Sequence, residues 1–170
     1  RIVWMGGAFY YHFITYNAAC DIEATKVVFE SGIPLTVVSR DVCMPCKMPE
    51  TQIQQLKQRG TPLTDLLYTL IERWRSQFID TDPDRLPILF DNLTLCAIFN
   101  RDYLSFKKER VLVETQGQYT RGLTFVVKAN YRNFPNFDCY PKLEDIPLIE
   151  VAYDVNPEGF IKHHFERLMS

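Results

Sequence analysis

No run in this chain approaches the ~20 consecutive apolar residues that a helix needs to span a bilayer, so no transmembrane helix is expected. There is no block of Lys and Arg, and the net charge is -2. Nucleic acid is held by clustered cations, so it is excluded as the main partner. The five cysteines are odd in number and their spacing forms no disulfide framework. Reduced thiols in a cytoplasmic protein are the expectation. The opening apolar run, Arg1-Ile2-Val3-Trp4-Met5-Gly6-Gly7, is too short for a signal peptide. It reads as a buried strand entered directly. An initiator Met is also absent, which leaves either removed residues or a piece of something longer. No internal repeat or low-complexity segment is visible.

What is present suits one domain with a real core. The 170 residues are 46% hydrophobic and 24% charged. Residues 2–5 form a short strand. Residues 21–31 read as a helix with Asp21 as its N-cap and Gly32 as its stop. Residues 33–38 are a β-branched-rich buried strand. A short polar helix over residues 50–59 ends at Gly60. In the next helix, Thr61 caps, Pro62 takes the first position, and Leu63, Leu66, Leu67, Leu70, Ile71, Trp74 and Phe78 form one apolar face. Residues 86–90 are extended and residues 91–99 helical. Strands follow at residues 111–114, 123–127 and 148–155, with Gly117 and Gly122 marking turns. Residues 130–141 are an aromatic-rich loop, and Pro157 opens the last helix. The alternation in the first half predicts an α/β fold: an open, mostly parallel, Rossmann-like sheet with helices on both faces and antiparallel strands toward the C-terminus.

Ligands of such sheets bind beyond the C-terminal strand ends. The Met5-Gly6-Gly7 turn, Asp41 and Asp91 all fall near such ends. Pro87-Ile88-Leu89-Phe90-Asp91-Asn92-Leu93 is the most telling stretch, an apolar run that stops at one carboxylate where a helical pattern begins. On residue type alone Asp91 is a good helix N-cap, Asn17 a turn or cap residue, and Met5 a core filler.

Several segments together resemble the nucleoside hydrolases of the inosine-uridine-preferring type. They are Ile2-Val3-Trp4-Met5-Gly6-Gly7-Ala8-Phe9, Tyr16-Asn17, Asp21-Ile22-Glu23-Ala24, Val28-Phe29-Glu30-Ser31-Gly32-Ile33-Pro34-Leu35-Thr36, Asp41-Val42, Phe90-Asp91 and Thr120-Arg121-Gly122-Leu123-Thr124. Each is short, but their order and spacing match. The resemblance covers roughly the whole chain and corresponds to the C-terminal half of the family, so a single partial domain over residues 1–170 is expected. It implies hydrolysis of the N-glycosidic bond of ribonucleosides to ribose and base. It also implies a calcium ion held by carboxylates, with a bound water activated by an aspartate. On this resemblance Asp91 is a calcium ligand that also reaches the ribose hydroxyls. Asn17 hydrogen-bonds the ribose, Met5 lines the sugar pocket, and Tyr16 replaces a neighbouring phenylalanine.

The chain departs from the family at three places and lacks its N-terminal aspartate cluster. Thr15 stands where the family keeps an acidic residue. Phe90 stands where it keeps a histidine, and phenylalanine cannot protonate a leaving base. The loop between Phe9 and Thr15 is short and lacks a sugar-binding asparagine. One carboxylate does not make a calcium site of about six to eight oxygens. The chain alone is therefore expected not to hydrolyse nucleosides, and to need the missing N-terminal half or a homo-oligomeric partner. A half sheet with open edges and uncovered apolar faces is also expected to oligomerise or aggregate. Two other readings stand beside this one. The first is a non-catalytic binding or assembly module. The second is a redox or zinc protein built on Cys43-Met44-Pro45-Cys46. His12 could serve as a displaced proton donor, the loop over residues 131–140 could stack on a base, and Arg121 is expected to pair with a carboxylate.

Overall fold

The computed structural model describes residues 1–11, 13–128 and 141–170. His12 and the aromatic loop therefore lie outside the described residues. Five strands occur among them: β1 (Ile2–Met5), β2 (Leu35–Val38), β3 (Leu104–Val113), β4 (Thr124–Val126) and β5 (Leu148–Val155). They form one sheet in the order β1-β2-β5-β3-β4. β1 pairs in parallel with β2, Ile2 facing Leu35 and Met5 facing Val38, and β2 pairs in parallel with β5. β5 pairs antiparallel with β3, which pairs antiparallel with β4. The α/β class and the parallel core with antiparallel strands beside it agree with the sequence reading. The last strand, β5, adds that it runs parallel to β2 while facing β3 antiparallel.

Seven α-helices surround the sheet in the described residues: α1 (Tyr16–Cys20), α2 (Ile22–Glu30), α3 (Arg40–Cys43), α4 (Glu50–Arg59), α5 (Pro62–Ser76), α6 (Phe90–Phe99) and α7 (Pro157–Met169). None is long and apolar enough to cross a membrane. Their starts are chemically marked. Asp21 Oδ1 accepts from Ala24 N at 2.9 Å, Thr61 and Thr64 form a reciprocal capping box, and Asn156 Oδ1 accepts from Gly159 N at 3.0 Å. Gly60 closes α4 with φ +63°.

The period of two along β2 divides the core. Leu35 and Val37 join Phe29, Val111, Val113, Ile149 and Val151 on one face of the sheet. Val38 joins Val42, Ile53, Leu56, Leu93, Ala97, Ala152 and Phe160 on the other. A strand covered on both faces reads as a continuous apolar run, which is why residues 35–38 were legible. Trp4 meets Phe29 edge-on, with ring centroids 5.3 Å apart. β1 differs from the buried strand expected. It is half-buried along its length, because it sits at the sheet edge.

Two further expectations are corrected. Residues 86–90 form no sheet strand. Ile88 makes an isolated antiparallel bridge with Lys47, and Leu89 N donates to Cys46 O at 2.9 Å, so this pairing is spent on the loop after α3. Helix α6 then starts at Phe90, one residue early, with Leu89 in the cap position. The apolar stripe of α5 is also divided. Leu67, Tyr68 and Ile71 pack on the core and Thr64 is buried, while Leu63, Leu66 and Leu70 are exposed. Helix α4 covers only part of an apolar arc that is wider than one contact.

Candidate functional site

The loop after β1 has no regular hydrogen bonding of its own, so other side chains take up its backbone donors. Gly7 sits at φ +75°, in the left-handed region. A Cβ there would also meet Thr124 Oγ1 and Phe9 Cζ at 3.0 Å. Gly7 N donates to Thr15 Oγ1 at 3.1 Å, and Ala8 N to Thr124 Oγ1 at 3.3 Å. Phe9 N and Tyr10 N donate to Asp41 Oδ2 at 2.6 and 3.4 Å. The loop folds back and delivers Phe13, Thr15, Tyr16 and Asn17 to the C-terminal end of β1. Asn17 Nδ2 donates to Met5 O at 2.9 Å and lies 3.7 Å from Met5 Sδ.

From the other side, α6 presents Phe90 and Asp91. The expected N-cap role of Asp91 gives way to a position inside the first turn, and no side chain caps this helix. A carboxylate there is favoured by the partial positive charge of the helix start. Among the described residues, none forms a hydrogen bond or ion pair with the Asp91 carboxylate, which lines the cavity.

These segments enclose one cavity of about 260 Å³, lined by Met5, Phe13, Thr15, Tyr16, Asn17, Arg40, Phe90 and Asp91. All five residues singled out from the sequence, Met5, Tyr16, Asn17, Phe90 and Asp91, meet there. Sequence reasoning missed Phe13 and Arg40. The Arg40 guanidinium carbon lies 4.2 Å from the Phe13 ring centroid, a cation–π contact. Its signal was present, since Arg40 follows the end of β2, where open sheets gather ligand contacts. The cavity thus combines one carboxylate, one guanidinium, a carboxamide and an apolar wall of Met5, Phe90 and Phe13. A carboxylate accepts from vicinal hydroxyls, and an apolar ring face suits a sugar or planar base.

The donors here do not fit a complete calcium site. Among the described residues, no group of three or more His, Cys, Asp or Glu side chains could hold a metal ion. Thr15 is buried with its hydroxyl already engaged by Gly7 N. Asp91 supplies one carboxylate where calcium takes six to eight oxygens.

The cysteine pair lies outside the cavity. Cys43 and Cys46 are both fully buried. Burial drives the Cys43 thiol far above its usual range, helped by Cys46, Asp91 and Asp41, and burial lifts Cys46 to about 11. A reactive thiolate needs the opposite shift, which counts against the redox reading, and among the described residues no third His, Cys, Asp or Glu joins the pair to hold a metal ion. Arg121 behaves as expected, with Nη2 3.5 Å from Glu23 Oε1.

The chain is thus an open-sheet α/β protein with a cavity at its parallel strand ends, walled by an amide, a carboxylate and aromatic rings. The sequence model described as inosine-uridine preferring nucleoside hydrolase matches residues 1–162, and the chain belongs to that family. It is 29% identical over 177 aligned residues to the pyrimidine-specific ribonucleoside hydrolase RihA of Salmonella arizonae, covering 99% of this chain and 52% of that protein. The same protein of Salmonella typhimurium is 29% identical over 173 residues, with the same coverage. Among solved structures, the plant nucleoside hydrolase PpNRh1 superposes with a TM-score of 0.82 at 20% identity, covering 99% of this chain and 53% of that one. The purine-preferring ribonucleoside hydrolase from Gardnerella vaginalis gives 0.79 at 22% identity, covering 98% and 51%. These structural likenesses establish the fold. The chain spans about half the length of the curated relatives it matches.

Proposed function

We propose that this chain forms the sugar-binding wall of a site that hydrolyses the N-glycosidic bond of ribonucleosides, and that bond cleavage needs carboxylates from a further segment. The observation that carries the reading is the convergence of Met5, Tyr16, Asn17, Phe90 and Asp91 on one cavity. Asp91 accepts from the ribose hydroxyls, the free Oδ1 of Asn17 accepts from another hydroxyl, and Met5 packs against the sugar ring. The remaining donors come from an N-terminal half in a longer polypeptide, or from a second copy. If calcium is used, Asp91 is the ligand this chain offers, and the other oxygens lie on that segment. The chemistry such an ion supplies is to make a water molecule easier to deprotonate.

Ribose release from uridine and inosine tests this reading. The longest native polypeptide is expected to release ribose and its Asp91→Asn variant to lose activity by about a hundredfold or more. The 170-residue chain is expected to release none. A native polypeptide that is silent with both nucleosides refutes the reading, and ribose release by the 170-residue chain refutes the need for a second segment. A second reading, a binding module without catalysis, is favoured by Phe90 and by the engaged hydroxyl of Thr15. It predicts uridine or ribose binding without turnover in the longest native polypeptide.

A further inference from the structure

We propose that Asp41 is a positioning residue for the ribonucleoside cavity, acting through the loop after β1 without touching the ligand. This inference rests on the ribonucleoside reading above and assigns a role to a side chain outside the cavity lining. Asp41 lies in α3, and Oδ2 receives Phe9 N at 2.6 Å and Tyr10 N at 3.4 Å. Carboxylate hydrogen bonds to backbone N–H groups are among the stronger ones in proteins. Its other oxygen, Oδ1, is buried and has no partner among the described residues. A buried acceptor without a partner is costly, so simple packing would be better served by an apolar side chain. The carboxylate sits where two consecutive loop amides converge.

The adjacent residue fixes the same loop from the same turn. Arg40 N donates to Gly7 O at 2.8 Å, and the Arg40 guanidinium lies over Phe13. Residues 40 and 41 thus grip the loop at Gly7, at Phe9 and Tyr10, and at Phe13. Beyond that grip the chain runs directly into Thr15, Tyr16 and Asn17, which line the cavity. If the loop is released at Phe9, the wall formed by Phe13 and Asn17 loses its fixed distance from Asp91. Misplacing a binding group by about 1 Å is enough for large losses in turnover.

The test uses Asp41→Ala and Asp41→Asn in the longest native polypeptide, with uridine as the probe. In Asp41→Ala, amide hydrogen exchange at Phe9 and Tyr10 is expected to rise at least about tenfold, while Val37 and Val151 in the sheet stay protected. The Asn17 side-chain amide and Phe13 ring resonances are expected to move, and uridine affinity to fall about tenfold or more. Asp41→Asn keeps an acceptor and is expected to restore most of the amide protection and most of the affinity; it also serves if the alanine variant fails to fold. Unchanged exchange at Phe9 and Tyr10 in Asp41→Ala overturns the proposal. So does a loosened loop that leaves the Phe13 and Asn17 resonances in place, or, where the unsubstituted polypeptide binds uridine, one that leaves its affinity unchanged. If the unsubstituted longest native polypeptide binds no uridine, the ribonucleoside reading fails, and the Phe13 and Asn17 resonances still decide the role of Asp41.

Discussion

Thr15→Val isolates the bond on which the cavity loop is built. Valine has nearly the shape of threonine, so packing is conserved while the hydroxyl is lost. Thr15 is 4% exposed and Gly7 is buried. The substitution therefore leaves Gly7 N inside the protein without its 3.1 Å acceptor. Water cannot readily replace it, so the loss includes the desolvation cost of the orphaned donor, about 1–3 kcal/mol. Taking the middle of that range, about 2 kcal/mol, the folded-to-unfolded ratio drops about thirtyfold. For a chain of this size that corresponds to a fall in Tm of about 4–8 °C. Urea denaturation followed by circular dichroism measures the change. Thr15→Ser keeps the acceptor and is expected to lose clearly less. The reasoning is refuted if Thr15→Val lies within about 0.5 kcal/mol of the parent and Gly7 amide exchange is unaltered. The bond would then contribute nothing, and the loop would be held by Arg40, Asp41 and Thr124 without it.

The thiol of Cys46, raised from the usual 9.0 to about 11, is expected to hold about a hundredfold less thiolate than an ordinary thiol at pH 8. Timed alkylation with mass spectrometry should label exposed Cys20 well before Cys46, and equal rates would restore the redox reading. Burial, and then the neighbouring His163, hold the His164 imidazole below its usual 6.5. The unfolded chain therefore takes up a proton first as pH falls from about 7, so stability is expected to drop below the unfolded value near 6.5 and to be fully present above it. Proton NMR titration should place the His164 midpoint under 6.5, and a higher midpoint contradicts the burial argument. On α5, Leu66→Glu is expected to change stability by less than about 0.5 kcal/mol, because Leu66 is exposed. Leu56→Ala on α4 is expected to cost about 2–5 kcal/mol. Comparable losses in urea melts would place Leu66 in an interface formed by a second copy.

The fold was legible wherever local chemistry marks it. Asp21, Thr61 with Pro62, Pro157 and Gly60 are caps, openers and stops whose geometry involves neighbours in sequence. β3 was read over only a few of its residues, because Lys107, Lys108, Glu109 and Arg110 look like surface. Their backbones pair with residues 148–151 of β5, a distant segment that no window around residue 107 contains. Residues 86–90 failed for the opposite reason. Their apolar character fits a strand, but Met48 N takes Pro87 O and Cys46 O takes Leu89 N before any sheet neighbour can. The site was legible as a set only through the resemblance, since Met5, Asn17 and Asp91 come from three segments and none is unusual alone. The engagement of Thr15 with Gly7 was invisible, because a hydroxyl at that position has no sequence signature beyond its being small and polar.

The two central departures from the family act on different parts of the chemistry. At position 15 a carboxylate would be buried beside the loop backbone, at a solvation cost that a neutral hydroxyl avoids. Threonine thus preserves the loop and gives up a negative charge in the cavity wall. At position 90 an apolar ring keeps the wall and removes a proton donor. None of the other lining side chains carries an imidazole. Arg40 does not release a proton in water. The Tyr16 phenol is made a weaker acid by its hydrogen bond to Cys20 and by that neighbour's charge. Asn17 has one amide hydrogen engaged by the Met5 carbonyl. Under the proposed function, recognition of the sugar is a property of this chain, while protonation of the departing base is not. A glycosidic bond can still break if the sugar cation is stabilised and the base leaves with its charge delocalised or is protonated from a second segment. On that proposal the chain sets which sugar is held, and what completes the cavity sets which bases can leave.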